Sequence, residues 1–252
     1  MYNILANLPF KTNHVHYLPS CHSTNEVAKD LLQTNAQEGT VVITDDQFAG
    51  KGQEGSIWTS LPGQNLTFSL ILRPVFFKPN EQFLITVAVS LGLKDVLEDF
   101  IQGEVKIKWP NDIYFNNKKI AGLLIENVLR GNCFDSCVVG IGLNVNQINF
   151  PDTVLATSLK LATSKEYNLN ELLNSIITSI SFFYSKLIEG KGNLLQNAFN
   201  SSLLGLAEER KFKAGEAEFF GIIEGTDSYG RLKIRKESKT VVFQHKQVKM
   251  LF

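Results

Sequence analysis

The chain has 252 residues, 44% of them hydrophobic, which is enough for one large domain with a small appendage. Its 25 Lys and Arg balance 25 Asp and Glu, so the totals carry no basic footprint for nucleic acid. Three cysteines (Cys21, Cys133, Cys137) make no disulfide framework, and no stretch reaches the roughly 20 apolar residues of a membrane span. Cys133 and Cys137 lack His or Cys partners at zinc-ligand spacing and read as packed thiols. Residues 1–11 lack the basic start and apolar core of a signal peptide, so a soluble cytoplasmic protein is expected.

In chain order, His14 to Leu18 is a short strand candidate. Ser23-Thr24-Asn25-Glu26 then matches a capping box, with Ser23 as N-cap and Glu26 returning to its N–H, so a helix should run to about Gln33. That cap alone accounts for the two hydroxyls, although such a pair can also hold an anion or a polar ligand edge. Thr40 to Ile43 and Leu66 to Leu72 are apolar runs that read as strands. Pro79 and Asn80 open a helical pattern that ends near Phe100, with Phe83, Leu84, Val87, Ala88 and Leu91 on one face. Val105 to Lys108 alternates as a half-buried strand, Trp109-Pro110-Asn111-Asp112 breaks it, and Ile113 to Phe115 resumes. Lys118 to Glu126 and Cys137 to Asn144 are further strands. Leu169 to Ile188 is a helix burying Leu172, Leu173, Ile176, Ile177, Ile180 and Phe183, and a second helix covers about Leu194 to Leu203. From Glu208 the pattern changes to short alternating runs with Gly215, Gly225 and Gly230 at the turns. Phe219 to Ile223, Leu232 to Ile234 and Thr240 to Phe243 are its strands. An all-β module of about 45 residues is below the size that usually folds alone, so it should lean on the larger domain.

Four stretches carry polar residues that a plain core does not need. Between the second and third strands, Phe48 to Ser60 places Gly50, Gly52 and Gly55 around Lys51, Gln53 and Glu54, with Trp58 at the far edge. Glycine permits close backbone approach and positive φ, and such a loop suits an anion. It is neither a P-loop, lacking Lys-Ser or Lys-Thr after the last glycine, nor a dinucleotide fingerprint, because a strand follows instead of a helix. A flexible hairpin tip is the bland alternative. Asn111 and Asp112 sit at a Pro-forced break, either as turn residues or as an amide and a carboxylate able to hold Mg²⁺. Lys119 begins an apolar strand and precedes Ala121-Gly122. Gly140 and Gly142 lie inside a strand that ends in Asn144 and Asn146, and glycine there often marks close approach of a ligand.

Ser23-Thr24-Asn25, Gln47, Gly50 to Trp58, Asn65-Leu66, Lys108-Trp109-Pro110-Asn111-Asp112, Lys119 to Glu126 and Gly140 to Asn146 occur in this order. Together they resemble biotin protein ligase over about residues 15–150, and Gly221 to Leu232 resembles the SH3-like C-terminal module of that family. The resemblance implies an α+β fold: a mixed sheet with helices in a class II synthetase-like catalytic domain (residues 1–205) and a small SH3-like β-barrel (206–252). It implies a two-step reaction. Biotin's carboxylate attacks the α-phosphate of ATP to give biotinyl-5′-AMP and pyrophosphate, and a lysine of a biotin carboxyl carrier protein then takes the biotinyl group. By resemblance Lys119, Lys51 and Asp112 are catalytic, with Asp112 the Mg²⁺ ligand. Ser23, Thr24, Asn25, Gln47, Gly50, Lys51, Gly52, Gln53, Lys119, Gly122, Gly140 and Gly142 contact biotin. Gln53, Trp58, Asn111, Lys119 and Asn144 line the nucleotide.

Two departures stand out. The family loop is often Gly-Arg-Gly-Arg-Arg-Gly-Arg, whereas here Lys51 keeps a charge and Gln53 and Glu54 replace arginines. Some relatives carry a DNA-binding helix-turn-helix domain, but only about 20 residues precede Ser23, so DNA and membrane are not expected as partners, while a homodimer stays open. The rival readings are a lipoate or octanoate ligase of the same fold and a non-enzymatic biotin- or nucleotide-binding module.

Overall fold

The computed structural model describes residues 2–3, 14–131 and 133–252. Residues 1–11, read above as lacking a signal sequence, fall almost wholly outside that range, and the Cys133 side chain does too. Cys137 is fully buried. No helix among the described residues is long and apolar enough to cross a membrane.

The first sheet has seven strands in the order β1-β2-β3-β7-β6-β5-β4. They are β1 (Val15–Cys21), β2 (Val41–Gln47), β3 (Leu66–Leu72), β4 (Val105–Lys108), β5 (Asp112–Phe115), β6 (Lys118–Arg130) and β7 (Cys133–Leu143). β1 and β2 run parallel and are joined through α1 (Thr24–Gln33), while the other neighbours are antiparallel, consecutive strands except for β3 beside β7. The result is the expected mixed sheet. β3 and β4 have the expected bounds, but β6 and β7 run longer than their apolar cores because their pairing continues beyond the buried segment.

Alternation along the strands gives the sheet two different faces. One face, with Ile43, Phe68, Leu70, Val139 and Leu143, packs into the main core. The opposite face is apolar only where α1 covers it, through Ala28 on Val42, Ile71 and Val138. Beyond the start of α1 that second face changes character. Thr67 and Ser69 on β3 pair with Gly142 and Gly140 on β7, and these pair with Gly122 and Leu124 on β6. Gly122 in turn pairs with Asp112 on β5.

A 3-10 turn at Pro79–Glu81 leads into α2 (Phe83–Phe100), which lies between the sheet and α4 (Leu169–Ile188). The single apolar face expected for α2 is too narrow, since Ile85, Val89 and Leu93 are buried as well. Gly92 sets the helix contact: a Cβ there would sit 2.8 Å from Ile180 Cα. Overpacking of that kind costs about 1–3 kcal/mol. α4 has the expected bounds and also buries Tyr184, while Phe183 is only half-buried. The short α3 (Leu159–Thr163) was not expected; Ser158 Oγ caps it by accepting from Leu161 N–H. α5 (Gly192–Ser201) completes the helices.

The second sheet has the order β11-β10-β9-β8-β12, all antiparallel. Its strands are β8 (Glu209–Ala214), β9 (Ala217–Thr226), β10 (Leu232–Lys236), β11 (Lys239–Phe243) and β12 (Lys249–Met250). Gly215 and Gly230 lie at turns as expected, but Gly225 lies inside β9, beside a register shift between Lys233 and Ile234. The module does lean on the larger sheet. Phe212, Ile223, Leu232, Ile234 and Met250 belong to the same core as α2 and α4. Trp109 Nε1 donates to the Gly230 carbonyl at 2.8 Å, and Thr226 N–H donates to Asn200 Oδ1 at 2.9 Å.

Candidate active site

The glycine-bearing face of the first sheet forms the floor of a cavity of about 550 Å³. The N-terminus of α1, the glycine loop, the β4–β5 turn and the C-terminal module form its walls. Of the residues singled out from sequence, Ser23, Thr24, Asn25, Gln47, Lys51, Gly52, Gln53, Trp58, Asn111, Asp112, Lys119, Gly122, Gly140 and Gly142 all line it. Gly50 and Asn144 do not. Asn144 is buried just past the end of β7, where its Nδ2 donates to the Thr157 carbonyl at 2.9 Å.

Ser23 is the N-cap of α1 but makes no side-chain cap, which corrects the capping-box expectation. Gln47 takes that part: its Oε1 accepts from Thr24 N–H at 2.8 Å. Glu26 turns instead to Lys29 and Lys51, at 2.8 and 2.7 Å. These two ammonium groups hold its carboxyl down at about 2. Asn25 is fixed on all sides. Its Oδ1 accepts from Ser69 Oγ at 2.6 Å, and its Nδ2 donates to Glu126 at 2.8 Å and to the Leu124 carbonyl at 3.2 Å. A side chain at Gly140 would overlap the Asn25 amide, which explains a glycine within a buried strand.

Lys119 owes its position to a bulge. Ile113 pairs with Ala121, but Tyr114 pairs with Lys119, so Ile120 is the extra residue on β6. Strict alternation would put Lys119 and Gly122 on opposite faces, and the bulge returns Lys119 to the cavity side. There its Nζ lies 2.6 Å from Asp112 Oδ1 and 5.6 Å from the centroid of the Trp58 ring. A Cβ on Gly122 would stand 3.0 Å from that ammonium, and one on Gly142 would overlap the Trp58 indole. Trp58 Nε1 and Gln53 Oε1 are buried without a hydrogen-bond partner among the described residues. A buried donor and acceptor left unmade cost roughly 1–3 kcal/mol each, so both are groups for a ligand to satisfy.

The Trp109–Pro110 peptide is cis, and Asn111 Nδ2 donates to the Leu123 carbonyl. Sequence reasoning missed the contribution of the second module. Lys246 and Lys249 line the cavity with Lys108, Lys119 and Lys51, against Asp112 as the one acidic residue among the described lining. Burial, together with Lys119 and Lys249, holds the Lys108 ammonium below its ordinary value, and Asp112 opposes this. A signal was present in the basic stretch from His245 to Lys249, but nothing local says that it folds back over the sheet.

The sequence profile of the biotin/lipoate A/B protein ligase family matches residues 17–144. The chain is 32% identical to a bifunctional ligase/repressor BirA of Bacillus spizizenii over 231 residues, covering 89% of this chain and 70% of that one. It is 30% identical to a biotin–[acetyl-CoA-carboxylase] ligase of Paracoccus denitrificans, covering 77% and 83%. A solved structure of biotin protein ligase from Aquifex aeolicus, in complex with biotin and ATP, superposes with a TM-score of 0.80 at 29% identity, covering 95% of this chain and 99% of that one. The chain therefore belongs to the biotin/lipoate A/B protein ligase family.

Proposed function

We propose that the protein is a biotin–[biotin carboxyl-carrier protein] ligase. It activates biotin with ATP as biotinyl-5′-AMP, releases pyrophosphate, and passes the biotinyl group to a carrier lysine. The observation that carries this is the Lys119–Asp112 pair on a bare glycine floor, in a cavity whose other charges are lysines. A carboxylate approaching a triphosphate needs positive charge placed beforehand, and such fixed charges act where new charge develops. Lys119 is the group placed for the α-phosphate. Lys108, Lys246 and Lys249 lie where the departing pyrophosphate can be offset. Thr24, Asn25 and Gln47, braced as described, and the floor at Gly122 and Gly140 form the biotin side. Trp58 and Asn111 line the nucleotide, Gln53 faces the adenylate, and Asn144 ties the end of β7 to the Thr157 carbonyl.

Asp112 is the candidate metal ligand. Among the described residues no group of three His, Cys, Asp or Glu side chains could hold a metal. One carboxylate nevertheless fits Mg²⁺, which takes most of its ligands from phosphate and water. Bound there, the ion would add charge against the phosphates. Residues 1–205 act as the catalytic unit, 206–252 complete its wall, and the acceptor is a carrier protein in the cytoplasm.

The test is pyrophosphate release from ATP with biotin, lipoate or octanoate as the acid. Biotin-dependent release is expected. Release with lipoate or octanoate alone would favour the other arm of the family, and release with none would leave a binding module.

A further inference from the structure

Lys51 does not stand alone in the cavity wall. Its Nζ lies 2.7 Å from Glu26 Oε1, which also accepts from Lys29 at 2.8 Å. Lys29 in turn reaches Glu126 at 3.0 Å, and Glu126 accepts from Asn25 Nδ2 at 2.8 Å. An unbroken chain of charged hydrogen bonds thus runs from the glycine loop through the first turn of α1 to β6. Apart from Trp58, which lies against Gly142 and below the Lys119 ammonium, the loop is held mainly by its own backbone. Trp58 N–H donates to the Gly50 carbonyl, Gly52 N–H to the Ser56 carbonyl, and Lys51 and Ile57 form an isolated bridge. On the α1 side, backbone bonds run from Phe48 and Ala49 at its base to the Cys21 and His22 carbonyls.

We infer that Glu26 is a positioning residue: its carboxylate grips Lys51 and so docks the 50–58 hairpin against α1, keeping Trp58 and Gln53 over the floor. This rests on the proposed reaction only for what the loop covers, since the docking contact lies within the chain itself. Glycine-rich loops lose much conformational freedom on ordering, so a fixed anchor near the base matters more here than in a stiffer segment. The Lys51 side chain is 56% exposed and that of Glu26 28%, so the grip is moderate and weakened by salt.

Hydrogen–deuterium exchange of the unliganded full chain, read over residues 48–60, tests this. Glu26→Gln and Lys51→Met should each speed exchange of that segment by roughly two- to fivefold, in line with an ion pair of this exposure. The double variant should go no further than either single one, and Lys51→Arg should keep parental protection. Added salt should speed exchange in the parent and leave Glu26→Gln unchanged. Exchange in α2 and α4 reports whether each variant is folded. Parental exchange over 48–60 in Glu26→Gln, or additive effects in the double variant, would overturn the inference, and either result is legible whether or not the protein biotinylates anything. With the reaction running, loss of the grip should raise the KM for biotin and ATP more than it lowers kcat.

Discussion

The Lys119 ammonium and the Asp112 carboxylate meet at 2.6 Å because a single extra residue, Ile120, turns Lys119 onto the face of the sheet that Asp112 and Gly122 share. A cation and a candidate metal ligand are thereby set beside the floor glycine Gly122. Lys119→Ala should lower biotin-dependent pyrophosphate release by about 10²–10³-fold, the scale for removing one charge-stabilising donor, with little change in the melting curve. A decrease of only a few-fold would mean that Lys119 does not face the reacting phosphate.

Asp112→Ala should act differently. The Mg²⁺ concentration for half-maximal activity should rise and ATP binding should weaken, while biotin affinity measured without nucleotide stays near the parental value. An unchanged Mg²⁺ titration would remove Asp112 as a metal ligand.

The two floor glycines on β7 should separate stability from binding. A methyl at Gly140 presses on Asn25, which is tied to Ser69, Leu124 and Glu126, so Gly140→Ala should cost about 1–3 kcal/mol in urea unfolding. A methyl at Gly142 presses on Trp58, which belongs to the loop and can move away. Gly142→Ala should therefore unfold near the parent but bind ATP more weakly. The reverse order would contradict the assignment of the two contacts.

Low pH should loosen the Glu26 contacts. Its carboxyl sits at about 2 in the folded chain, against about 4.3 when unfolded. A lowered folded value stabilises above the unfolded pKa and is lost as pH falls. The stability difference between parent and Glu26→Gln should be full at neutral pH and shrink from about pH 4.3 towards pH 2. A difference that stays constant across that range would show that the Lys29 and Lys51 contacts do not hold the charge.

Gln53 is a neutral residue of the glycine loop, and its Oε1 is buried without a partner among the described residues. A charge-assisted hydrogen bond to phosphate is about twice as strong as a neutral one. Gln53→Arg should slow release of biotinyl-5′-AMP, measured by rapid filtration, unless Glu54 captures the new charge. Equal release rates, with unchanged loop protection, would show that position 53 does not face the phosphate.

What could be read from the sequence was what local pattern decides. β3 and α4 have the bounds that their apolar patterns predict, because β3 is buried throughout and α4 buries a continuous face. The glycine loop, the Lys108 to Asp112 turn and the Gly140–Gly142 pair converge on one cavity, as their shared misfit with a plain core implied. What could not be read depends on distant partners. The cap of α1 comes from Gln47 on β2, not from Ser23. Lys119 faces the cavity through a one-residue register shift that alternation alone argues against. Lys246 and Lys249 reach the site only because β12 pairs with β8 and the module docks through Trp109.

The most direct measurement is the intact mass of a purified biotin carboxyl carrier domain after incubation with this protein, biotin, ATP and Mg²⁺. The account predicts a gain of one biotinyl group on a single carrier lysine, dependent on both biotin and ATP and lost with Lys119→Ala. A carrier of unchanged mass under conditions where the folded protein binds both substrates would contradict it.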